Sequence, residues 1–300
     1  MHKLHSNSVI VQYTESTKNT KQKRRCSLMA DKHLIVLDLD GTLLNNEKQI
    51  SSRTKQVLTK LKEDGHQIMI ATGRPYRASE LYYRQLGLTT PIVNFNGAFV
   101  HHPLQTSWGM YHSPLDINVA KDIVEACDEF DYHNIIAEVR DDVYFHYHDE
   151  KLIDLLKMGN PKVTTGDLRN FLEQSPTSML IHAEEHQVTE IREHLTSVHA
   201  EVIDHRSWAA PFHVIEIVKS GLNKAVGIQK VSNYLDIPKE RIIAFGDEDN
   251  DLEMIDYAGT GVAMGNAISE LKSLANITTL TNEEDGIAVF LEDKFNIRLA

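Results

Sequence analysis

Residues 34–42 read Leu34-Ile35-Val36-Leu37-Asp38-Leu39-Asp40-Gly41-Thr42, and this stretch decides the fold. Four apolar residues in a row mark a strand buried on both faces, as in a parallel sheet covered by helices. The run stops at two carboxylates one residue apart, followed by Gly41, which suits a tight turn. Ligands of open parallel sheets bind just beyond the carboxyl ends of the strands, so this acidic cluster stands where chemistry is expected. At that spacing Asp38 and Asp40 are predicted to point the same way and to repel each other unless a cation lies between them. A turn that merely caps the next helix explains one Asp and the glycine, but not both acids.

The same alternation continues on either side. Ile50, Val57, Leu58 and Leu61 predict a helix capped by Ser51 or Ser52 and stopped by Gly65. A second strand over 67–71 ends in Thr72, Gly73, Arg74 and Pro75, and Pro75 opens a helix to about residue 86. Residues 92–94 and 98–100 flank Asn96-Gly97, a hairpin signal. The middle of the chain then changes character: a helix over 118–130 with Val119, Ile123, Val124 and Ala126 inward, strands over 134–139 and 143–148, and two short helical segments. A strand over 178–182, a helix over 188–198 and strands over 201–204 and 214–218 complete an antiparallel α+β pattern. From Leu222 the alternation resumes with helices over 223–235, 250–258 and 267–275, strands over 241–245 and 261–263, and a last helix after Asp285. The expectation is an α/β fold. A Rossmann-like parallel-sheet core from residues 30–111 and 217–300 is interrupted by an inserted α+β cap domain, residues 112–216.

Composition narrows the function. In 300 residues, 31 Lys plus Arg stand against 43 Asp plus Glu, a net charge of −12, which argues against nucleic-acid partners and anionic membrane surfaces. Two cysteines, Cys26 and Cys127, supply neither a disulfide framework nor a thiolate zinc site, so a reducing cytoplasm is the simplest compartment. No uncharged apolar run is long enough to span a bilayer. Residues 1–28 are polar, end in the basic stretch from Lys21 to Arg25, and lack the apolar segment of a secretory signal. They read as a disordered tail, with a nuclear or transit signal as the alternative and Met29 as an alternative start. No motif indicates the oligomeric state.

Three further polar clusters follow strands or open helices. Thr72 and Gly73 offer a hydroxyl and a closely approachable N–H, the makings of a small anion cradle. Lys224 lies early in a helix, where a lone lysine is ordinarily a solvated one. Gly246-Asp247-Glu248-Asp249-Asn250-Asp251 carries more acids than a helix cap requires, and hard divalent cations favour such oxygen ligands. Two other patterns are weaker. Gly259, Gly261 and Gly265 miss the dinucleotide fingerprint by one position, and His146 with His148 is an H-x-H pair in a chain with 16 histidines.

In this order, the four clusters resemble the haloacid dehalogenase superfamily of phosphohydrolases over nearly the whole chain from residue 33, and the insert resembles the type IIB cap of its Cof-type members. Asn223-Lys224-Ala225 departs slightly from the more usual N-K-G. The resemblance implies a phosphatase that uses Mg²⁺ and acts on a small phosphorylated metabolite. It makes Asp38 the nucleophile and Asp40 the acid and base. The metal falls to Asp38, Asp40 through its carbonyl, and Asp247, with Asp251 in support. The phosphoryl oxygens fall to the Leu39 and Gly73 N–H groups, Thr72, Lys224 and Asn250. Asp40 disfavours dehalogenases and transport ATPases. Cof-type relatives act on sugar phosphates, flavin and pyridoxal phosphates, and the phosphoribitylamino-uracil intermediate of riboflavin synthesis. The aromatic stretch Tyr144, Phe145, His146, Tyr147, His148 inclines the reading toward that intermediate or FMN. Asn94, Asn96, Gly97, His146 and His148 are the expected substrate contacts. A phosphomutase and a non-catalytic phosphometabolite-binding regulator are the alternatives.

Overall fold

The computed structural model describes residues 32–199, 203–208 and 213–299, so the tail expected over 1–28 lies outside the described residues. The chain begins with β1 (Leu34–Leu37), α1 (Ser52–Glu63), β2 (Gln67–Ile70), α2 (Tyr76–Gln85), β3 (Ile92–Asn94), β4 (Phe99–His101) and β5 (Met110–His112). It continues through α3 (Ile117–Cys127), β6 (Tyr132–Val139), β7 (Asp142–Phe145), α4 (Glu150–Leu156), β8 (Val163–Thr165), α5 (Leu168–Phe171) and β9 (Ser178–Ala183). Next come α6 (Glu185–His199), β10 (Ile203–Trp208) and β11 (Val214–Lys219). The last third holds α7 (Lys224–Tyr234), β12 (Ile242–Gly246), α8 (Leu252–Tyr257), β13 (Thr260–Ala263), α9 (Ser269–Leu274), β14 (Ile277–Thr278) and α10 (Gly286–Phe295).

The fold is α/β, with a parallel sheet in the order β14-β13-β12-β1-β2. From β1 the chain first builds to one side of the sheet and later returns on the other, so the switch point lies between β1 and β12. Leu37 is level with Phe245 of β12 and with Ile70 of β2, and the polar residues that follow these three strands therefore leave the sheet along one edge. Strand alternation explains why β1 is apolar throughout. Ile35 and Leu37 pack with Val57, Leu58 and Leu61 of α1 and Leu291 of α10, while Leu34 and Val36 pack with Ile228 and Val231 of α7 and Met254 of α8. Ser51 opens α1, its hydroxyl accepting the Thr54 N–H at 3.1 Å.

The second sheet runs β10-β11-β9-β6-β7-β8 and is antiparallel except between β7 and β8. Ile135, Ala137, Met179, Ile181, Ile215 and Ile217 point to one face, against Ile123 and Val124 of α3 and Ile191 and Leu195 of α6. The intervening residues, Glu138 and Glu216 among them, belong to the other face. There Arg77 of α2 sets its guanidinium 2.5 Å from the Glu138 carboxylate, and both are buried. The Ser178 hydroxyl donates to Glu138 at 3.1 Å, and Asp141 accepts the Arg77 backbone N–H at 2.9 Å. Among the described residues, no helix is long and apolar enough to cross a membrane.

Three local readings are corrected, and a strand not read from the sequence is added. The buried face of α3 is Ala120, Ile123, Val124 and Cys127, rotated from the expected one, so Val119 and Ala126 are only partly covered. β7 stops at Phe145 because the Asn134 side chain then replaces a strand, donating to the Tyr147 carbonyl at 2.8 Å and accepting its N–H at 3.1 Å. β8 is only three residues long, too short for alternation to be read. The hairpin pairs Asn94 with Phe99, leaving four residues in the turn rather than three, and Phe95, Asn96 and Gly97 all take positive φ (50°, 51° and 99°).

The Arg77–Glu138 pair has few other partners, since Nε and Nη1 of Arg77 are buried without one. Removing the guanidinium strands a buried carboxylate. Arg77→Met is expected to lower the unfolding free energy by about 3 to 5 kcal/mol, and adding Glu138→Leu to recover most of that loss. Urea titration of the single and double variants checks this; additive losses would show that the two charges are not coupled.

Candidate active site

Lys224 is the first residue of α7, whose cap Asn223 accepts the Val226 N–H at 3.0 Å. Gly97 is needed beside this cap, because a Cβ there would lie 2.3 Å from the Asn223 carbonyl oxygen. The start of the helix therefore drives Lys224 inward. Its ammonium is fully buried and lies 2.6 Å from Asp38 at the end of β1 and 2.6 Å from Asp251 beyond β12. The other Asp251 oxygen accepts the N–H groups of Asp247 (2.9 Å) and Glu248 (3.2 Å), so Asp251 is committed on both sides. Asp247 accepts from the Thr42 hydroxyl at 2.7 Å and from the Asn266 amide at 3.4 Å. The carboxylates of Asp38, Asp247 and Asp251 each bring an oxygen within 4.8 Å of the others, and all three residues are buried.

One ammonium does not balance three acids. Burial raises Asp38 well above the ordinary carboxylate range, with Lys224 pulling it down and Asp251 and Asp247 pushing it further up. Burial likewise pushes Asp247 up to about 7, against the hydrogen bond from Thr42. Burial opposes the charge on Lys224, but Asp251 and Asp38 beside it raise its pKa above the usual lysine value. A buried surplus of negative oxygen atoms at this spacing fits a hard divalent cation.

Asp40 departs from the expectation that it points with Asp38. The strand ends at Leu37, and the turn that follows breaks the two-residue alternation. The Asp40 carboxylate instead meets the Arg74 guanidinium through two bonds of 2.6 Å and the Lys48 ammonium at 2.7 Å. Burial alone would raise this carboxyl; Arg74, and then Lys48, hold it down at about 2. In this arrangement Asp40 carries no proton. Neither Arg74 nor Lys48 is singled out by the sequence. Arg74 had a signal in following Thr72-Gly73, whereas Lys48 reaches the site through a turn in which its φ is 58°.

A second group of amides adjoins the cluster. The Asn250 side-chain amide donates to Oδ1 of Asn96 at 3.1 Å, and a Cβ on Gly73 would lie 3.2 Å from Asn96 Nδ2. Asn96 Nδ2 in turn lies 3.3 and 3.4 Å from the two oxygens of Glu216 in β11. Glu216 escapes a sequence reading because it stands in an apolar strand and meets Asn96, 120 residues away. The Thr72 hydroxyl is buried and accepts the Arg74 N–H at 3.1 Å, and Leu39 buries its side chain in the core. Asn94 ties down the loop after β2, donating to the Arg74 carbonyl and the Ser79 hydroxyl at 2.9 and 3.0 Å.

His146 and His148 are not brought together. Both lie beyond the end of β7; His146 is buried and accepts the Leu168 N–H at the start of α5 (3.2 Å), whereas His148 is exposed. The neighbouring aromatics are engaged within the insert. Phe145 is in the core, Tyr144 faces Phe171, and Tyr147 stacks on Tyr132 with ring centroids 6.1 Å apart.

Comparison with known proteins agrees with this geometry. The sequence pattern of the haloacid dehalogenase-like hydrolases matches residues 35–291. The 5-amino-6-(5-phospho-D-ribitylamino)uracil phosphatase YitU of Bacillus subtilis is 61% identical over 265 residues, covering 88% of this chain and 98% of the relative. A second phosphatase of the same description, YwtE of Bacillus subtilis, is 29% identical over 86% of this chain and 96% of its own. The crystal structure of a haloacid dehalogenase-like hydrolase from Bacteroides thetaiotaomicron superposes with a TM-score of 0.77 at 28% identity, covering 88% of this chain and all of the other.

The charge imbalance has a sign that can be measured. Asp247 holds its proton more tightly in the folded chain than in the unfolded one, where a carboxyl titrates near 4. In chelator the protein is therefore expected to lose stability as pH rises from about 4 toward 7. Tm in EDTA should fall across that window, and added Mg²⁺ should raise Tm more at pH 7.5 than at pH 5. An equal Mg²⁺ effect at both values would refute a cation site built on these acids.

Proposed function

Because the chain belongs to the haloacid dehalogenase-like hydrolases, we propose that its carboxylate cluster hydrolyses a phosphate monoester, with 5-amino-6-(5-phospho-D-ribitylamino)uracil as the substrate. The observation that carries the substrate is the 61% identity to a phosphatase of that description, extending over 98% of its length. The stretch 144–148 does not support it, since those aromatics pack within the insert. The division into a catalytic core, residues 30–111 and 217–300, and a cap, residues 112–216, belongs to the same reading. So does a reducing cytoplasmic setting, in keeping with the buried free thiol of Cys127.

Mg²⁺ is the cofactor that the cluster suits, held by Asp38, Asp247 and the Asp40 carbonyl; when bound, it offsets the repulsion between an anionic nucleophile and an anionic ester. The Asp38 oxygen not bonded to Lys224 attacks phosphorus in line, and the leaving alkoxide departs from an aspartyl-phosphate. Lys224 keeps Asp38 oriented and answers the charge on the phosphoryl oxygens, with Thr72, the Leu39 and Gly73 N–H groups and Asn250 completing the cradle. Asp251 spends both oxygens on Lys224 and on backbone N–H groups, so its role is to hold Lys224 and the 247–248 turn. Asp40 gives a proton to the leaving oxygen and later takes one from the water that attacks the aspartyl-phosphate, which breaks its acyl-oxygen–phosphorus bond, releases phosphate and restores Asp38. To hold that proton, its carboxyl has to exchange Arg74 and Lys48 for the ester oxygen.

Two measurements test this reading. Asp38→Asn is expected to retain the fold and to abolish phosphate release, well beyond the roughly 10² to 10⁴ that loss of a general base produces; more than a few per cent residual activity would refute the nucleophile. The kcat/KM for 5-amino-6-(5-phospho-D-ribitylamino)uracil or FMN is expected to exceed that for glucose 6-phosphate by at least about tenfold, near 1.4 kcal/mol of transition-state binding. An equal or reversed preference would discard the substrate and leave the phosphatase standing.

A further inference from the structure

We infer that Met158 determines specificity for the leaving group, by packing its thioether against a planar unsaturated ring that a short chain joins to the ester oxygen. The inference rests on the phosphomonoesterase reading and deepens it. Asp38, Lys224, Asp247 and Asp251 are buried, whereas Asp40 and its partner Lys48 are partly open to solvent. A leaving group that takes its proton from Asp40 therefore lies on that open side. Arg74 leads from there to the insert. It grips Asp40 through Nε and Nη2, and its third nitrogen, Nη1, lies 3.6 Å from the Met158 sulfur. Met158 thus stands one guanidinium away from the acid, a separation that a short carbon chain spans.

A lone exposed methionine signals nothing by itself. Met158 is distinguished by how firmly the core places it. Residues 157–160 form a turn closed by the Asn160 N–H on the Lys157 carbonyl at 2.8 Å, with Gly159 at the position where a type II turn needs its φ of 78°. Gly159 in turn rests on the Arg77 backbone, and the Arg77–Glu138 ion pair and the bond from the Arg77 N–H to Asp141 fix the insert to that same turn of α2. Met158 is nevertheless 46% exposed, whereas Met69, Met179, Met254 and Met264 are buried in the cores. A thioether is apolar and polarisable, makes favourable contacts with aromatic rings and is only a weak hydrogen-bond acceptor. It gains from a flat ring and little from a chain of hydroxyls. The Arg74 guanidinium beside it is also a planar surface on which rings pack, as Tyr82 does with 5.6 Å between Cζ and the ring centroid.

The test compares two esters that share the ribityl phosphate and differ in the ring, 5-amino-6-(5-phospho-D-ribitylamino)uracil and ribitol 5-phosphate, by phosphate release from wild type, Met158→Ala and Met158→Gln. Wild type is expected to favour the ring-bearing ester in kcat/KM by at least about tenfold, and Met158→Ala to reduce that ratio by about fivefold or more. Met158→Gln keeps the length of the side chain without the thioether and should reduce it by about threefold or more. The loss is expected in the constants for the ring-bearing ester, with kcat and KM for ribitol 5-phosphate unchanged. If the alanine variant fails to fold, as judged by circular dichroism and Tm, the glutamine variant decides. An unchanged ratio in the folded variants or a wild type without preference overturns the role of Met158 and leaves the phosphatase reading intact. Equal losses of kcat on both esters overturn it as well, since they show that Met158 only supports Arg74 and Asp40. A wild type that releases phosphate from neither ester nor from p-nitrophenyl phosphate overturns the phosphatase reading itself.

Discussion

The site is organised by the ammonium of Lys224, wedged without solvent between Asp38 and Asp251. These residues come from β1, the start of α7 and the turn after β12, three segments that have no contact in sequence. Drawn together without a cation, Asp38 and Asp251 would face each other as buried like charges, an arrangement that costs several kcal/mol. One lysine removes that repulsion but does not neutralise Asp247. The remaining deficit of positive charge keeps the cluster receptive to a metal, and the same cluster is then able to tolerate an anionic ester. Gly41 and Gly246 follow from this crowding, since a Cβ at either would collide with the side chain of Asp247 or Asp251.

The insert meets the core along a polar seam. Arg77 reaches across to Glu138, Asn96 to Glu216, and the Met158 sulfur lies 3.6 Å from an Arg74 nitrogen. Beside Met158, Gly159 takes a φ of 78° and approaches the Arg77 carbonyl so closely that a Cβ would lie 2.4 Å away. Through Arg74 the insert bears on Asp40.

The residues at the strand ends were legible because each belongs to a local pattern: Asp38 after Leu34–Leu37, Thr72 after a second strand, Asp247 and Asp251 after a third. Lys224 gained meaning only from the others, since nothing local marks a lysine as buried. Arg74, Lys48, Arg77 and Glu216 were not singled out, for a shared reason. Their partners are 34, 8, 61 and 120 residues away, and no periodicity encodes such pairings. The H-x-H reading failed because alternation was extended past Phe145, where Asn134 takes over the work of a strand. The hairpin was recognised from Asn96-Gly97, but its four-residue turn, with three consecutive positive φ values, follows from the close packing of Gly97 on Asn223.

The position of β1 also bears on how the chain is made. Leu34 pairs with Gln67 on one side and with Ile242 on the other. At about 5 to 20 residues per second, a ribosome takes on the order of 10 to 40 seconds to supply the second partner after the first strand has emerged. All six strands of the insert lie between these two, so its sheet can assemble while one edge of β1 is still unpaired. Such an edge is a template for pairing with the wrong chain. An apolar segment of the parallel sheet is thus the first strand to be synthesised and lacks its second partner until Ile242 has been made.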